Sequence, residues 1–508
     1  MQTKPKSNFI RHLVFSISAF SLLGYGLVQA QNYQGSEGTW WSPGSGEIFP
    51  VEASYENDSG TLKVLLDSAA VDTANHPFFT AIGTNGRACV TCHQPENAMS
   101  LSVDTIQERW AVTNGSDPLF AAIDGSNCPM LPQGERTSHS LLLDHGLFRV
   151  ELPWPPKPWL GKEVEPDFEL AVVRDPWGCN SGPVYGPEGE HQSVSVYRRP
   201  RPVANLKYLT AVGFAYDPKQ GLPLPSDPQS GVMLSGNIMA DNRATTLQAQ
   251  MQDAAFTHME FFGALSQEKL TQIEEFELGI YAAQSVSNRG GDLSDGALGG
   301  PETLRDSQAG QLGSIGSGIW SEFESWENMD AQMLARLSAE EIEYRQSVAR
   351  GARVFRERMF LITDSAGINS PIGFGNPVLN ACAFCHNMSQ MGNDVAPGQV
   401  DLGTTVMPFA NNAPHLPLFR VTCTEDPHPH YGETIYTYDP GFALITGRCA
   451  DVGKITLQSL RGLAARAPYF SNGTASDIPA IIDYYERRYN IGYSEQERQD
   501  LINLMEAL

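Results

Sequence analysis

The sequence predicts a mainly α fold in which long irregular loops and a helical connecting segment join two parts of the chain. Apolar residues recur at helical spacing in the middle of the chain and again towards its end, which favours amphipathic helices. Gly and Pro number 47 and 34 among 508 residues, and both favour turns and irregular connections. Hydrophobic residues make up 41% of the chain, which is enough for a packed core and argues against disorder.

The chain is strongly acidic, with 58 Asp and Glu against 34 Lys and Arg and a formal net charge of −24. This balance argues against a protein that binds nucleic acid or an anionic membrane surface. It favours a positively charged partner, whose approach would be steered by the acidic surface and weakened by salt.

The first 30 residues are typical of a secretory signal peptide. Lys4, Lys6 and Arg11 precede an apolar stretch at 13–27, and small or aliphatic residues follow at 28–30. An uncleaved membrane anchor is the alternative, but the apolar stretch is shorter than the about 20 residues that a membrane span needs. We therefore expect an exported, periplasmic protein that has no membrane span once residues 1–30 are removed.

Residues 31–235 are predicted to form an N-terminal domain dominated by loops. Residues 31–60 are rich in Gly, Ser, Pro and aromatic residues, which favours an irregular arm lying on that domain. The prolines within 153–158 exclude a helix there, because proline lacks the backbone donor and clashes with the preceding turn.

A helical connecting segment is predicted over 236–284. One helix is expected from Arg243 to about Ala264, and Ser266 is a suitable N-cap for a second helix that runs to about Ala283. Gly, Ser and Asp dominate the stretch that follows, so 285–330 is expected to be a linker or a long surface loop.

Residues 331–508 are predicted to form a second, mainly helical domain. Ser338 with Glu341 makes a capping box at the start of one helix. Ser494 with Glu497 makes another at the start of the terminal helix. Between them, apolar residues recur at spacings of three and four, as a helix with one buried face requires. This set is Ile478, Ile481, Ile482 and Tyr485.

One short motif, C-x-x-C-H, occurs twice, beginning at Cys89 and at Cys382. Two thiols one helical turn apart can add to the two vinyl groups of a porphyrin, and the adjacent histidine then lies beneath the iron as its axial ligand. The pattern therefore predicts two covalently bound haem c groups, with His93 and His386 as iron ligands. The residues predicted to attach or ligate the haems are Cys89, Cys92, His93, Cys382, Cys385 and His386.

Each C-x-x-C-H motif has two alternatives, a thioredoxin-like dithiol and half of a zinc site. A zinc site would not require a histidine after both cysteine pairs, and a redox dithiol would not need to be duplicated. Export to the compartment where haem c is attached also favours haem.

Four further cysteines, Cys128, Cys179, Cys423 and Cys449, permit three disulfide pairings. One pair follows each haem motif, so Cys128 with Cys179 and Cys423 with Cys449 is the simplest choice. Free buried thiols are the alternative, which an oxidising compartment disfavours.

The sequence around Ser459-Leu460-Arg461, followed by Ala-Pro-Tyr-Phe-Ser-Asn-Gly at 467–473, resembles the di-haem cytochrome c peroxidase and MauG superfamily of exported bacterial proteins. The resemblance implies two cytochrome c-like haem domains. It also implies Tyr485 as the second iron ligand of the haem on His386, because Tyr485 falls where MauG-like proteins place a tyrosine and the peroxidases a methionine. Met407 and His415 are rival ligands, and Tyr485 could instead complete the apolar helix face.

A second resemblance to this superfamily lies between the haem motifs, where Asp241-Asn242-Arg243-Ala244 is similar to the family's D-G-R-A segment. It implies that Gln250 orients bound peroxide and that Glu260 shuttles its proton beside the haem on His93. His258 is a further candidate, as a distal ligand or an acid–base group. The alternative is a helix whose Gln and Met residues face only protein, with His258 as an ordinary hydrogen-bonded histidine.

Three departures from the family pattern stand out. Ser471 replaces the family histidine, and Ala240 stands where peroxidases often have a tryptophan between the haems. The two motifs begin 293 residues apart, so the chain has long insertions like those of the larger rubber-oxygenase relatives. Family members often hold a calcium ion between their domains, although no sequence signal marks a calcium site here.

The main expectation is a periplasmic peroxidase-like oxidoreductase. The haem on His386 would accept electrons from a small redox protein, a basic cytochrome c or a cupredoxin, and relay them to the haem on His93, where hydrogen peroxide or oxygen is activated. A MauG-like or dioxygenase-like oxidation of an organic substrate is the second hypothesis. The third is a pure electron carrier, which would have two six-coordinate haems. The peroxidase relatives are often dimers, which implies a homodimer.

Overall fold

Helices and strands are mixed along the chain in the computed structural model. The structure describes residues 40–157, 164–210, 235–307, 322–369, 375–386 and 399–508, together with the backbone of 215–217 and 222–224. The predicted signal peptide lies outside these residues. Helices account for 32% of the structure and strands, in several sheets, for 19%, so the expectation of a mainly α fold is wrong.

The described helices range in length from four to 19 residues. They are α1 Val103–Thr113, α2 Ser140–His145, α3 Leu206–Thr210, α4 Leu247–Met259, α5 Gln267–Leu278, α6 Pro301–Asp306, α7 Ala331–Leu334, α8 Ala339–Glu357, α9 Ala443–Thr446, α10 Ile478–Tyr489 and α11 Glu495–Ala507.

The strands come from both halves of the sequence. They are β1 Ile48–Phe49, β2 Glu52–Asn57, β3 Gly60–Leu66, β4 Val71–Asp72, β5 Phe148–Pro153, β6 Phe168–Arg174, β7 Tyr185–Gly186, β8 His191–Arg198, β9 Ala215–Asp217, β10 Leu222–Leu224, β11 Ile280–Ser287, β12 Gly291–Asp292, β13 Phe360–Ile362, β14 Val378–Asn380, β15 Gln399–Val400, β16 Leu418–Cys423, β17 Thr434–Thr437 and β18 Ile455–Thr456.

The largest described sheet has four antiparallel strands in the order β12-β11-β3-β2. Two three-stranded sheets have the orders β5-β8-β7 and β17-β16-β6. The remaining described sheets are two-stranded pairs, β1-β4, β10-β9, β13-β14 and β15-β18.

The irregular arm predicted for residues 31–60 is wrong where the structure describes it, because β2 and β3 form a hairpin. Their register runs from Glu52 opposite Leu65 to Asn57 opposite Gly60. Gly60 has φ +144, and a Cβ there would lie 2.1 Å from the carbonyl oxygen of Val286. A short polar turn before a glycine, flanked by alternating residues, was the local signal for this hairpin.

The second helix of the connecting segment begins as predicted, since the Ser266 side chain accepts a hydrogen bond from the Lys269 N–H at 3.3 Å. It ends at Leu278 rather than near Ala283, because β11 follows and pairs with β3. Only Val286 of β11 is exposed. A strand buried on both faces lacks the alternating pattern that marks strands in a sequence.

Both predicted capping boxes are confirmed. The Ser338 side chain accepts a hydrogen bond from the Glu341 N–H, the Ser494 side chain accepts one from the Glu497 N–H, and each serine N–H donates to the carboxylate of its glutamate. The two helices that follow, α8 and α11, pack against each other through apolar residues, which include Val348, Phe355, Leu501 and Leu504.

The disulfides Cys128–Cys179 and Cys423–Cys449 are both present, which confirms the predicted pairing. The second lies beside a sheet that joins distant parts of the chain, because Cys423 of β16 stands opposite Phe168 of β6.

The described residues from Trp40 onward belong to one compact unit. The stretch predicted as a Gly-rich linker contributes β12 and α6, and it buries Leu293 and Leu304. The domain boundaries stay predictions. Within the described ranges, no helix is both long enough and apolar enough to cross a membrane.

Gly351 tests the contact between α8 and α11. Glycine to alanine inside a helix normally stabilises by about 1 kcal/mol. Here the added Cβ would lie 2.1 Å from the carbonyl oxygen of Asp500, so we expect Gly351→Ala to destabilise the protein by about 1–3 kcal/mol in thermal or denaturant unfolding. Gly134 is the control, because apart from its two chain neighbours no residue has an atom within 4 Å of the methyl group that Gly134→Ala would add. This substitution should change stability by less than about 0.5 kcal/mol. A Gly351→Ala protein that is more stable than wild type would contradict the close contact between α8 and α11.

Candidate haem pockets

The two C-x-x-C-H motifs have the same local backbone. Each begins with a single 3-10 turn, at Cys89–Thr91 and at Cys382–Phe384. The N–H of His93 donates to the carbonyl oxygen of Cys89 at 3.1 Å, and the N–H of His386 donates to that of Cys382 at 3.0 Å. None of the four motif cysteines forms a disulfide. The turn therefore places each histidine next to two free thiols.

The first pocket is an open cavity of about 950 Å³, a volume that includes solvent at its mouth, and it is lined by Cys92, His93, Gln250 and His258, among others. The Nδ1 atom of His93 lies 3.1 Å from the carbonyl oxygen of Met99. A backbone carbonyl at Nδ1 fixes the ring and leaves Nε2 as the nitrogen available to a metal.

The second pocket is an open cavity of about 1240 Å³, again including solvent at its mouth, and it is lined by Cys382, Cys385 and His386 together with mainly apolar side chains. The Nδ1 atom of His386 is buried and has no hydrogen-bond partner among the described residues. Tyr485 also lines this pocket.

The electrostatics of both pockets fit covalent haem. Burial lowers the pKa of His93 and of His386 to about 4, which keeps both imidazoles in the neutral, ligating form at pH 7. Burial raises the pKa of Cys92 and of Cys382 to about 11 and that of Cys385 to about 12. A redox dithiol has a lowered thiol pKa instead. Protonated thiols beside a neutral imidazole therefore suit a c-type haem better than a thioredoxin-like site.

Helix α4 presents one face to the first pocket. Gln250, Ala254 and His258 stand four residues apart along the helix, and all three line the pocket. The structure thus brings two of the predicted site residues, Gln250 and His258, into the same cavity as His93. Their catalytic roles stay predictions.

The ring of His258 is held by a residue that the sequence analysis missed. Its Nδ1 lies 2.5 Å from Oδ2 of Asp124, which also lines the pocket and forms a buried ion pair with Arg87. Burial alone would raise the pKa of Asp124, but Arg87 and His258 outweigh it and hold that pKa below its usual value. Asp124 lies in a turn far from α4 in sequence, so no local pattern marks it.

Glu260 is placed differently from the other predicted site residues. Helix α4 ends at Met259, and Glu260 has a left-handed backbone with φ +55. Its carboxylate accepts a hydrogen bond from the Thr84 hydroxyl at 3.2 Å, and it does not belong to the described lining of the first pocket. The spacing of ten residues implied a face shared with Gln250, which would require the helix to continue past Met259.

Tyr485 lies in the second pocket with His386, as its predicted role as an iron ligand requires. Burial is the main cause that raises the pKa of its hydroxyl, followed by the nearby Tyr489. The rivals lie elsewhere: Met407 is 38% exposed, and the His415 ring stacks on His145 at 3.8 Å. Neither belongs to the described lining of the pocket. The ligand assignment itself stays a prediction.

The two pockets share a wall. The N–H of Thr456, in the second pocket, donates to the carbonyl oxygen of Ala240, in the first, at 2.9 Å. The N–H of Arg199, in the first pocket, donates to the carbonyl oxygen of Ser471, in the second, at 2.8 Å. At each point one hydrogen bond joins the two linings. Ala240 and Ser471, the two residues that depart from the family pattern, both lie in this shared wall.

A buried charge network holds α4 against the shared wall. Arg198 donates two hydrogen bonds to Asp439, at 2.6 and 2.9 Å, and also pairs with Asp241. Arg243 bonds Asp241 at 3.0 Å and Asp253 of α4 at 3.0 Å. Burial alone would raise the pKa of Asp241, but Arg243 and Arg198 hold it far below its usual value. Asp241 and Arg243 of the Asp-Asn-Arg-Ala segment therefore stabilise the fold through these ion pairs.

Among the described residues, no three His, Cys, Asp or Glu side chains are grouped to hold a metal ion. The calcium ion implied by the family resemblance stays a prediction without a side-chain site in that part of the chain.

Comparison with known proteins gives a partial relationship. No protein-family model matches this chain, and no solved structure matches it. Part of the chain is similar to the cytochrome-c peroxidase IdrP1 of Pseudomonas sp. (strain SCT), with 32% identity over 143 residues. The match covers 25% of this chain and 36% of that relative, so the chain spans just over a third of the relative's length. It supports a cytochrome c peroxidase-like relationship for that part of the chain.

Substituting Tyr485 tests its role as an iron ligand in the haem-loaded protein. If its oxygen binds the iron, Tyr485→Phe should change the absorption and electron paramagnetic resonance spectra of the haem on His386, because one axial ligand is lost. Tyr489→Phe is the matched control, since Tyr489 lines the same pocket but its hydroxyl lies 2.8 Å from the Ser365 hydroxyl. An unchanged spectrum in Tyr485→Phe would remove the assignment.

Proposed function

We propose that this chain is an exported di-haem c-type cytochrome of the cytochrome c peroxidase and MauG superfamily, and that it reduces hydrogen peroxide. The observation that carries the proposal is a pair of pockets with a shared wall, each containing the histidine of one C-x-x-C-H motif. The partial similarity to a cytochrome-c peroxidase supports the same activity class.

The first pocket is the proposed site of peroxide reduction. When bound, haem c supplies a redox-active iron that can keep one coordination position open for a small oxidant. Reduction of one hydrogen peroxide to two waters consumes two electrons and two protons. The protein therefore has to deliver protons on the side of the pocket that faces α4.

His258 is the proposed acid–base group for these protons. Its Nδ1 is engaged by the carboxylate of Asp124, so Nε2 is the atom that can take up and release a proton. Asp124 cannot swing away freely, because it is buried and paired with Arg87. Gln250 lies two turns earlier on the same helix face, where its amide can donate a hydrogen bond to an oxygen of the substrate.

The second pocket is the proposed site at which electrons enter the protein. Its neighbour across the shared wall is the first pocket, and the backbone hydrogen bond from Thr456 to Ala240 joins the two linings at 2.9 Å. A short bonded path of this kind suits electron relay from the haem on His386 to the haem on His93. Ala240 in place of an aromatic residue means that the proposed route runs through backbone and arginine side chains.

A MauG-like oxidation of an organic substrate is the second candidate function. The observation that favours it is Tyr485 in the second pocket, where MauG-like proteins place a tyrosine. Turnover of an organic substrate without a reduced donor protein would decide for this alternative.

The proposal includes export to the periplasm and a small basic electron donor, a cytochrome c or a cupredoxin. The C-x-x-C-H motifs and the two disulfides suit an oxidising compartment. The net charge of −24 suits a positively charged donor.

Substitutions at His258 and Glu260 separate the two candidate proton carriers. We expect His258→Gln to lower kcat/KM for hydrogen peroxide by about 10²–10⁴-fold, the usual range for loss of a general acid–base group. Glu260→Gln should lower kcat/KM much less, because the Glu260 carboxylate accepts a hydrogen bond from Thr84 and lies outside the described lining of the first pocket. Stopped-flow assays on proteins of equal haem content would measure both. A larger loss in Glu260→Gln would transfer the proton-carrying role to Glu260.

Salt dependence tests the proposed donor. We expect kcat/KM for a basic donor cytochrome to fall about tenfold or more between ~10 mM and ~150 mM ionic strength, because screening shortens the reach of the acidic surface. A neutral small-molecule electron donor is the control, and its rate should change little. Equal salt dependence for both donors would contradict electrostatic steering.

A further inference from the structure

Three arginines in the shared wall lack an acidic partner. Arg199 and Arg466 are more than nine-tenths buried, and Arg201 is partly buried at the edge of the first pocket. Their hydrogen bonds go to neutral oxygens, such as the carbonyl of Arg466, which accepts from Arg199 Nη2 at 3.0 Å, and the carbonyl of Met239, which accepts from Arg201 at 3.2 Å. No acidic side chain of the described residues pairs with any of the three.

Six other buried arginines of the described chain each pair with at least one carboxylate. These ion pairs are Arg87 with Asp124, Arg109 with Asp117, Arg149 with Glu151, Arg198 with Asp241 and Asp439, Arg345 with Asp295, and Arg461 with Glu322. Arg488 is also buried without an ion pair, but its guanidinium lies over the rings of Phe409 and Tyr489, at 3.7 and 4.5 Å from their centroids. Among the described residues, the arginines of the shared wall have neither a carboxylate nor an aromatic ring as partner. Burial lowers the pKa of Arg199 to about 9 and the pKa of Arg201 and of Arg466 to about 10, with Arg466 adding to the shift at the other two.

An uncompensated buried guanidinium is costly, because its charge loses water without gaining a counter-ion. Three such guanidinium groups in one wall therefore favour the binding of anionic groups in both pockets. Arg199 and Arg201 line the first pocket, and Arg466 lines the second. The porphyrin of a c-type haem carries two propionate carboxylates, and a carboxylate matches the planar fork of a guanidinium.

We propose that Arg199, Arg201 and Arg466 bind the propionate carboxylates of the two haems. This assignment rests on the proposed function, since it requires both haems. Arg199 and Arg201 serve the haem on His93, and Arg466 serves the haem on His386. The arginines thereby act as counter-ions for the cofactors and set their reduction potentials through the shared wall.

The test uses the full-length, haem-loaded protein. Haem content is counted first, and then Arg199→Gln and Arg466→Gln are compared with wild type by potentiometric titration and resonance Raman spectroscopy. Loss of a positive charge beside a haem stabilises its oxidised, more positive form. We therefore expect the potential of the His93 haem to fall in Arg199→Gln and that of the His386 haem to fall in Arg466→Gln. The propionate bending band of the same haem should shift in each variant.

Two further variants keep the result interpretable. Arg345→Gln is the matched control, because Arg345 is equally buried but pairs with Asp295 and lines neither pocket, so both potentials and bands should match wild type. Arg199→Lys retains the charge without the fork, so it should shift the propionate band while keeping the potential near that of wild type. It also covers the case in which Arg199→Gln fails to fold.

Several outcomes would overturn the assignment. A wild-type protein without two haems would sink the proposed function and this inference together. Two haems with potentials and propionate bands that are the same in Arg199→Gln, Arg466→Gln and Arg345→Gln would sink the inference alone. A third outcome is a saturable shift of the wild-type potentials by added acetate or phosphate that disappears in Arg199→Gln. In that case the arginines hold a free anion rather than the propionates.

Discussion

The ion pairs of Arg198 connect three distant parts of the chain at the wall between the pockets. Arg198 ends β8, Asp241 precedes α4, and Asp439 follows β17, yet all three side chains are buried together. Removing one partner of a buried pair leaves the other charge without water or counter-ion, at a cost of about 3–5 kcal/mol. Because Asp241 also binds Arg243, which binds Asp253 of α4, the helix face that carries Gln250 and His258 depends on this network.

Identical motifs acquire different surroundings in the two pockets. His93 and His386 follow the same turn, and burial lowers the pKa of both imidazoles to about 4. The differences come from the walls: charged and amide side chains in the first pocket, apolar side chains and Tyr485 in the second. In the proposed function the iron ligands supplied by the two motifs are the same, so these surroundings would give one haem its catalytic role and the other the role of accepting electrons.

Local sequence signals were sufficient for the helix starts, where the interacting residues are neighbours in sequence. The capping boxes at Ser338 and Ser494 were predicted and are present. Both disulfides, which join cysteines 51 and 26 residues apart, were predicted from the order of the cysteines along the chain and are also present. The four-stranded sheet was missed because β11 is buried on both faces and therefore lacks alternation. The placement of Glu260 was also not predicted, because the end of α4 depends on a distant segment that packs against it. Gly83 lies so close to this helix end that a Cβ on it would be 1.7 Å from the carbonyl oxygen of Met259.

The sequence by itself determined the two C-x-x-C-H turns, the chemistry of their thiols and imidazoles, and the acidic balance of the chain. Only the tertiary structure decided which groups face those turns. Asp124 reaches His258, and Arg199 reaches Arg466, across more than a hundred residues of chain. Contacts of this kind arise when distant segments bury their apolar surface together and must then satisfy the charges buried with it. No spacing within a segment encodes them.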